Sequence, residues 1–202
     1  MRLPSHIVVT LCSVLFALVT SSARAVDGDD GLYERFDGDV WMSLMVGGGV
    51  RLDDGGAAPA GLVEVRSRYL DTAGFFVTGE YADHGFGVAL GIDLRPFFLA
   101  RFLTARTLSR RFWDLLLDSV GLDMGMRLRG EGDLNVAFVV GSGADVPLYA
   151  NESFRMAVRL AFRYAHLADF EARTRDSDWT LSGGLVFETR VASGVVSLRE
   201  TR

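Results

Sequence analysis

Residues 154–164 alternate strictly. Phe154, Met156, Val158, Leu160, Phe162 and Tyr164 share one parity, and Arg155, Ala157, Arg159, Ala161 and Arg163 share the other. A period of two places the two sets on opposite faces of an extended strand. A helix would scatter the three arginines around its circumference, so the segment is committed to a strand with one apolar face and one small-or-charged face. The same alternation recurs near residues 40–46, 63–69, 75–81, 86–94, 120–128, 134–140 and 179–187. Turn chemistry separates several of these stretches: Asp53-Asp54-Gly55-Gly56, Asp71-Thr72-Ala73-Gly74, Asp83-His84-Gly85 and Arg129-Gly130-Glu131-Gly132. Eight strands joined by tight turns predict an all-β fold, an eight-stranded antiparallel up-and-down β-barrel.

Alternation alone leaves open which face is wet. A soluble barrel or sandwich buries its apolar face, whereas a membrane barrel turns that face to lipid and fills its interior with polar and small residues. Three features favour the second. Several strands reach the roughly 9–11 residues that cross a bilayer when tilted. The polar face mixes both signs of charge with Gly, Ala and Ser, which suits an eight-stranded interior just wide enough for side chains. Aromatics (Phe75, Tyr81, Phe86, Phe154, Tyr164, Trp179, Phe187) fall near strand ends, where interfacial girdles form. On this reading Arg66, Arg68, Arg127, Arg155, Arg159 and Arg163 share the interior with Glu64, Glu80, Asp93, Asp123 and Glu188. Buried charges must be paired, so a salt-bridged plug is expected. The alternative is a narrow polar path, which needs unpaired charge lining water.

The N-terminus has the three-part architecture of a secretory signal peptide. Met1 and Arg2 supply positive charge, residues 7–19 are nearly all apolar, and Ala23-Arg24-Ala25 is a small-x-small cleavage site. The expected organisation is a signal peptide over 1–25, an acidic linker over 26–38 and the barrel domain over 39–202. The single cysteine, Cys12, lies in the apolar run and follows Leu11, a poor lipoprotein processing context. The mature chain is thus expected to hold no disulfide and no thiolate metal site. Removing Arg2 and Arg24 leaves 19 arginines against 26 acids. An acidic chain with dispersed arginines lacks the clustered positive field that nucleic acid requires.

Residues 95–118 break the alternation. Pro96 ends a strand, and from Arg95 to Arg111 there are five arginines and no acid. A short helical connection is expected over about 97–112. Two readings stay open: a basic amphipathic helix on anionic lipid, with Arg101, Arg106, Arg110 and Arg111 at the membrane surface, or a linker packed over an open barrel end.

With these features together, the chain resembles small outer-membrane β-barrel proteins of Gram-negative bacteria. Gly91-Ile92-Asp93-Leu94-Arg95-Pro96-Phe97-Phe98-Leu99 and Trp113-Asp114-Leu115-Leu116-Leu117-Asp118-Ser119 also look like uncharacterised exported proteins of soil deltaproteobacteria. The resemblance implies an outer-membrane location, a lipid bilayer as partner and a monomer. It names no small-molecule ligand. Such barrels usually end in a strand with a terminal aromatic, whereas this chain ends Ser197-Leu198-Arg199-Glu200-Thr201-Arg202. The periplasm therefore remains the alternative location.

No catalytic, cofactor or metal constellation stands out, so neither an enzyme nor a cofactor is expected. His84 and His166 are the only histidines beyond the signal segment, and they do not cluster. His84 beside Asp83 is the one candidate base for a lipid-acting hydrolase or acyltransferase. Gly47-Gly48-Gly49 lies within a strand pattern and is not a phosphate loop. The acidic stretch Asp27, Asp29, Asp30, Asp37 and Asp39 lacks EF-hand spacing. The polar loop 169–178 is the first candidate for contact with a partner. The expected role is structural or interactive. A lipid-modifying enzyme and a soluble periplasmic ligand-binding barrel are the alternatives.

Overall fold

The computed structural model describes residues 40–82, 85–104, 111–131, 133–151, 154–167 and 177–191. The expected signal peptide, the acidic linker, His84 and most of the 169–178 loop lie outside these residues. The strands are β1 (Val40–Asp53), β2 (Gly56–Tyr69), β3 (Ala73–Ala82), β4 (Gly85–Leu94), β5 (Gly121–Glu131), β6 (Asp133–Ala150), β7 (Phe154–Leu167) and β8 (Ser177–Val191). Each pairs antiparallel with its sequence neighbours, and β8 pairs with β1 to close the barrel. The eight alternating stretches read from the sequence correspond to these eight strands.

Odd residues of β1 and even residues of β2 and β3 point inward, and the alternation continues around the barrel, interrupted by a register shift between Pro147 and Tyr149 of β6. The result is an inverted protein. Leu44, Val46, Val63, Val65, Val77, Leu90, Met126, Leu160 and Leu181 are exposed on the outer wall, while Glu64, Arg66, Arg68, Asp123, Arg159 and Arg163 are buried within. Facing glycine pairs mark two seams. Gly47 faces Gly184 across β1–β8, and Gly91 faces Gly125 across β4–β5. A Cβ on Gly47 would lie 2.2 Å from the Gly183 carbonyl oxygen, and one on Gly91 equally close to that of Met124. Glycine is required there because backbone occupies the place of a side chain. The two glycine pairs lie four strands apart and divide the strand order into β1–β4 and β5–β8.

Chain position 40, position 191, the β2–β3 turn and the β4–β5 connection share one end, called here the terminal end; the opposite rim is the loop end. The β4–β5 connection, expected to be helical over about 97–112, holds two helices among its described residues. They are α1 (Pro96–Thr104) and α2 (Arg111–Asp118). Pro96 occupies the first helical position, where its missing N–H is no loss. Strand β6 runs seven residues past the start of β5, whose Gly121 pairs with Gly143. The hydroxyl of Ser119, just after α2, donates to the Asp145 carbonyl (3.0 Å) and accepts from its N–H (2.8 Å). This satisfies part of an otherwise open strand edge, and α2 packs against the same strand.

Candidate functional site

The distinguishing feature of the molecule is its interior. Eight arginines (Arg51, Arg66, Arg68, Arg95, Arg127, Arg155, Arg159, Arg163) meet eight carboxylates (Glu64, Asp71, Glu80, Asp93, Asp123, Asp145, Asp178, Glu188). Each carboxylate lies within 4.0 Å of a guanidinium nitrogen. The formal charge of this set is zero, which meets the requirement that buried charge be compensated.

At mid-barrel, Glu64 on β2 is ringed by three arginines. Arg66 Nε donates to it at 2.5 Å, Arg159 at 2.8 Å, and Arg163 also donates, while the Thr78 hydroxyl donates to Oε2 at 2.8 Å. Asp123 on β5 accepts a two-pronged contact from Arg66 (2.7 and 2.8 Å) and another bond from Arg163 (2.8 Å). The Arg66 and Arg163 guanidiniums also lie 5.3 and 5.0 Å from the Phe76 ring centre. Planar forks that reach several acceptors at once explain why arginine fills these positions.

Toward the terminal end, Asp145 holds Arg159 through two bonds of 2.6 Å and Arg95 at 3.1 Å. Glu188 accepts from Arg68, and Asp93 lies 3.1 Å from Arg66. Asp71 sits in the β2–β3 turn with φ 57°, beside Leu70 at φ 49°. Both are left-handed conformations that non-glycine residues rarely adopt. Its carboxylate is within 2.8 Å of Arg95, 2.9 Å of Arg155 and 3.3 Å of Arg68. Burial pushes the Asp71 carboxyl upward, but Arg95, Arg155 and Arg68 outweigh it and hold the group well below the usual carboxylate range. Arg155 also covers the buried Trp41 ring at 3.8 Å from its centre.

Toward the loop end, Arg127 binds Asp178 at 2.9 Å and lies 4.0 Å from Glu80, and Arg51 lies 3.5 Å from Asp53 and 3.6 Å from Glu80. A cavity of about 10 Å³ lies beside Glu80, Arg127, Arg163 and Asp178. That is room for about one water molecule.

All eleven interior charges expected from alternation lie in this network. Sequence reasoning did not assign Arg51, Asp71, Arg95, Asp145 and Asp178 to it. Parity was the signal that reaches four of them. Arg51 continues β1 beyond its three glycines, Arg95 follows Asp93 by two, Asp145 follows Gly141 and Gly143, and Asp178 precedes Thr180. The basic segment behaves differently from the lipid-facing expectation at Arg101. That side chain is mostly buried and donates to Asp114 and to Asp118, the latter at 2.7 Å. Its charge is used within the helical pair because α2 brings two acids over it. Arg106 and Arg110 lie outside the described residues. Arg111 opens α2, but its side chain is not described. His166 stacks on Tyr164 with ring centres 6.3 Å apart. No family model, curated protein or solved structure matches this chain.

Proposed function

We propose that this chain is an outer-membrane β-barrel whose interior is a closed, salt-bridged plug, and that it serves a structural or interaction role through its ends. The observation that carries the reading is the inverted burial. An outer wall dominated by Leu, Val, Met and Phe surrounds a set of sixteen paired charges, eight of each sign. In water that arrangement exposes far more contiguous apolar surface than a soluble monomer carries. In hydrocarbon it is what a spanning barrel needs. Even the shortest strands, of 10 residues, cover about 25 Å along the barrel axis at about 3.3 Å per residue and a tilt near 40°. Exposed aromatics lie toward both rims. Tyr69, Phe75, Tyr149, Phe154 and Phe187 are at the terminal end, and Tyr81, Phe86, Phe162 and Trp179 are toward the loop end. Trp179 stacks on Phe162 at 4.8 Å and contacts Tyr164 at 4.5 Å. Such girdles sit at membrane interfaces.

The test is cell fractionation combined with gel mobility with and without heating. A membrane barrel partitions with the outer membrane, needs detergent for extraction and migrates faster unheated. Recovery from the soluble periplasmic fraction without detergent defeats the proposal. Planar-bilayer recording tests the plug, which is expected to pass no steady ionic current.

A further inference from the structure

The helical pair at the terminal end has the same inversion as the barrel wall, and the wall alone does not require it. On α2, Asp114 and Asp118 are four residues apart and share one face, as do Trp113 and Leu117 on the adjoining face. The acids are the buried pair, locked onto Arg101 of α1. Trp113 and Leu117 are the exposed pair, at 48% and 38%. On α1, Phe98 is completely buried, whereas Phe97 and Leu99 are about half exposed. A hairpin made for water would present Asp114, Asp118 and Arg101 outward and bury Trp113 and Phe97. Here both described acids of the pair are turned inward onto Arg101, while Phe97, Leu99, Trp113 and Leu117 stand exposed.

The pair is also firmly attached to the wall. Arg95, immediately before α1, is tied to Asp71 and Asp145, and its N–H donates to the Thr72 carbonyl at 2.7 Å. Ser119, immediately after α2, is tied to β6. Strand β6 and the start of β7 place Tyr149 and Phe154 at the same end, both exposed, with ring centres 6.4 Å apart. The helical pair therefore shares the terminal end with these exposed aromatics, and α2 packs on β6, the strand that carries Tyr149.

We infer that α1 and α2 form a lipid-binding foot, with Phe97, Leu99, Trp113 and Leu117 seated at the headgroup–acyl boundary of the leaflet at the terminal end. The occupant of this face is phospholipid. A tryptophan at the outer edge of such a face matches the preference of indole for that boundary. The inference rests on the membrane reading above, and its test separates the two. The full chain carries Cys12→Ser and one of Phe97→Cys, Leu117→Cys, Val65→Cys or Asp54→Cys. Each variant is nitroxide-labelled and folded into phosphatidylethanolamine–phosphatidylglycerol vesicles. Collision with oxygen, which is lipid-soluble, is then compared with collision with a water-soluble nickel chelate. Val65 reports the mid-wall and Asp54 the β1–β2 turn at the loop end. Labels at 97 and 117 are expected to give an oxygen-to-nickel ratio several-fold above that at 54 and below that at 65. If 65 reads as lipid while 97 and 117 match 54, the foot lies in water and the inference fails alone. Shielding of 97 and 117 from both reagents places protein over them and also overturns it. If 65 itself reads as aqueous, the membrane reading fails and the foot with it.

Discussion

Arg159 offers the sharpest test of whether the interior charges hold the barrel together. Its Nε and Nη2 each bind Asp145 at 2.6 Å, and its Nη1 binds Glu64 at 2.8 Å, all within the buried interior. Arg159→Met keeps most of the side-chain volume and deletes all three bonds, leaving the interior one positive charge short. Removing one partner of a buried ion pair costs about 3–5 kcal/mol. Asp145 retains Arg95 at 3.1 Å, and Glu64 retains Arg66 and Arg163, so the lower end applies. About 3 kcal/mol is about a hundredfold in the folded-to-unfolded ratio at about 1.4 kcal/mol per decade. The measurement is a urea titration of barrel folding in lipid vesicles, read by unheated gel mobility. Arg159→Lys is expected to fall between wild type and Arg159→Met, since an ammonium cannot span both acids as a fork does. Arg159→Glu, which sets a third carboxylate beside Asp145 and Glu64, is expected not to fold. An unchanged midpoint for Arg159→Met would refute the reasoning. So would a folded Arg159→Glu barrel with new conductance, because the interior would then be a water-lined path.

Three other outcomes follow from the same geometry. Gly47→Ala is expected to cost about 1–3 kcal/mol, the range for overpacking, because its Cβ meets the Gly183 carbonyl; Gly61→Ala, with nothing within 4 Å, serves as the silent control in the same titration. Asp71 is held below its ordinary pKa, so its contribution is fully present above the unfolded value near 4 and is lost as pH falls below it; Asp71→Asn should lower stability at neutral pH and flatten the acid limb of the midpoint-versus-pH curve. Asp114→Asn combined with Asp118→Asn removes both negative charges that face Arg101; limited proteolysis should then cut between β4 and β5 while the heat-modifiable mobility of the barrel persists.

Much of this architecture was legible because one rule, parity along a strand, governs both faces at once. Glu64, Arg66 and Arg68 could be placed inside from Val63 and Val65 alone, and Arg155, Arg159 and Arg163 from the arginine-free opposite face. The rule stopped where the apolar marker residues stopped. Gly47, Gly48 and Gly49 hid the continuation of β1 to Arg51, and Gly143, Ala144 and Pro147 hid the long tail of β6 that carries Asp145. Asp71 was invisible for another reason. A turn residue reaches the interior through a left-handed backbone, which strand parity does not describe. The five-arginine run read as surface charge because the acids that meet Arg101 lie 13 and 17 residues further along, on a second helix. Which charge meets which across the barrel depends on closure and stagger, and neither is written in any single strand.

The glycine seams divide the network in an instructive way. The wall β1–β4 with its adjoining turn residues contributes Arg51, Glu64, Arg66, Arg68, Asp71, Glu80, Asp93 and Arg95, and β5–β8 contributes the other eight charges. Among these sixteen groups each half carries four charges of each sign, and β5–β8 also sets Arg129 and Arg190 at inward-facing positions. Yet Arg66 reaches across to Asp123, Arg159 and Arg163 to Glu64, Arg95 to Asp145, and Arg155 to Asp71. A half-built sheet entering hydrocarbon would present eight partly solvated ions with no opposite wall to receive them. If the barrel spans a membrane as proposed, the chain has little to gain from adding strands to the bilayer one at a time. Its assembly is expected to be nearly all-or-none, with the β8–β1 seam closing and the interior shedding its water in the same step.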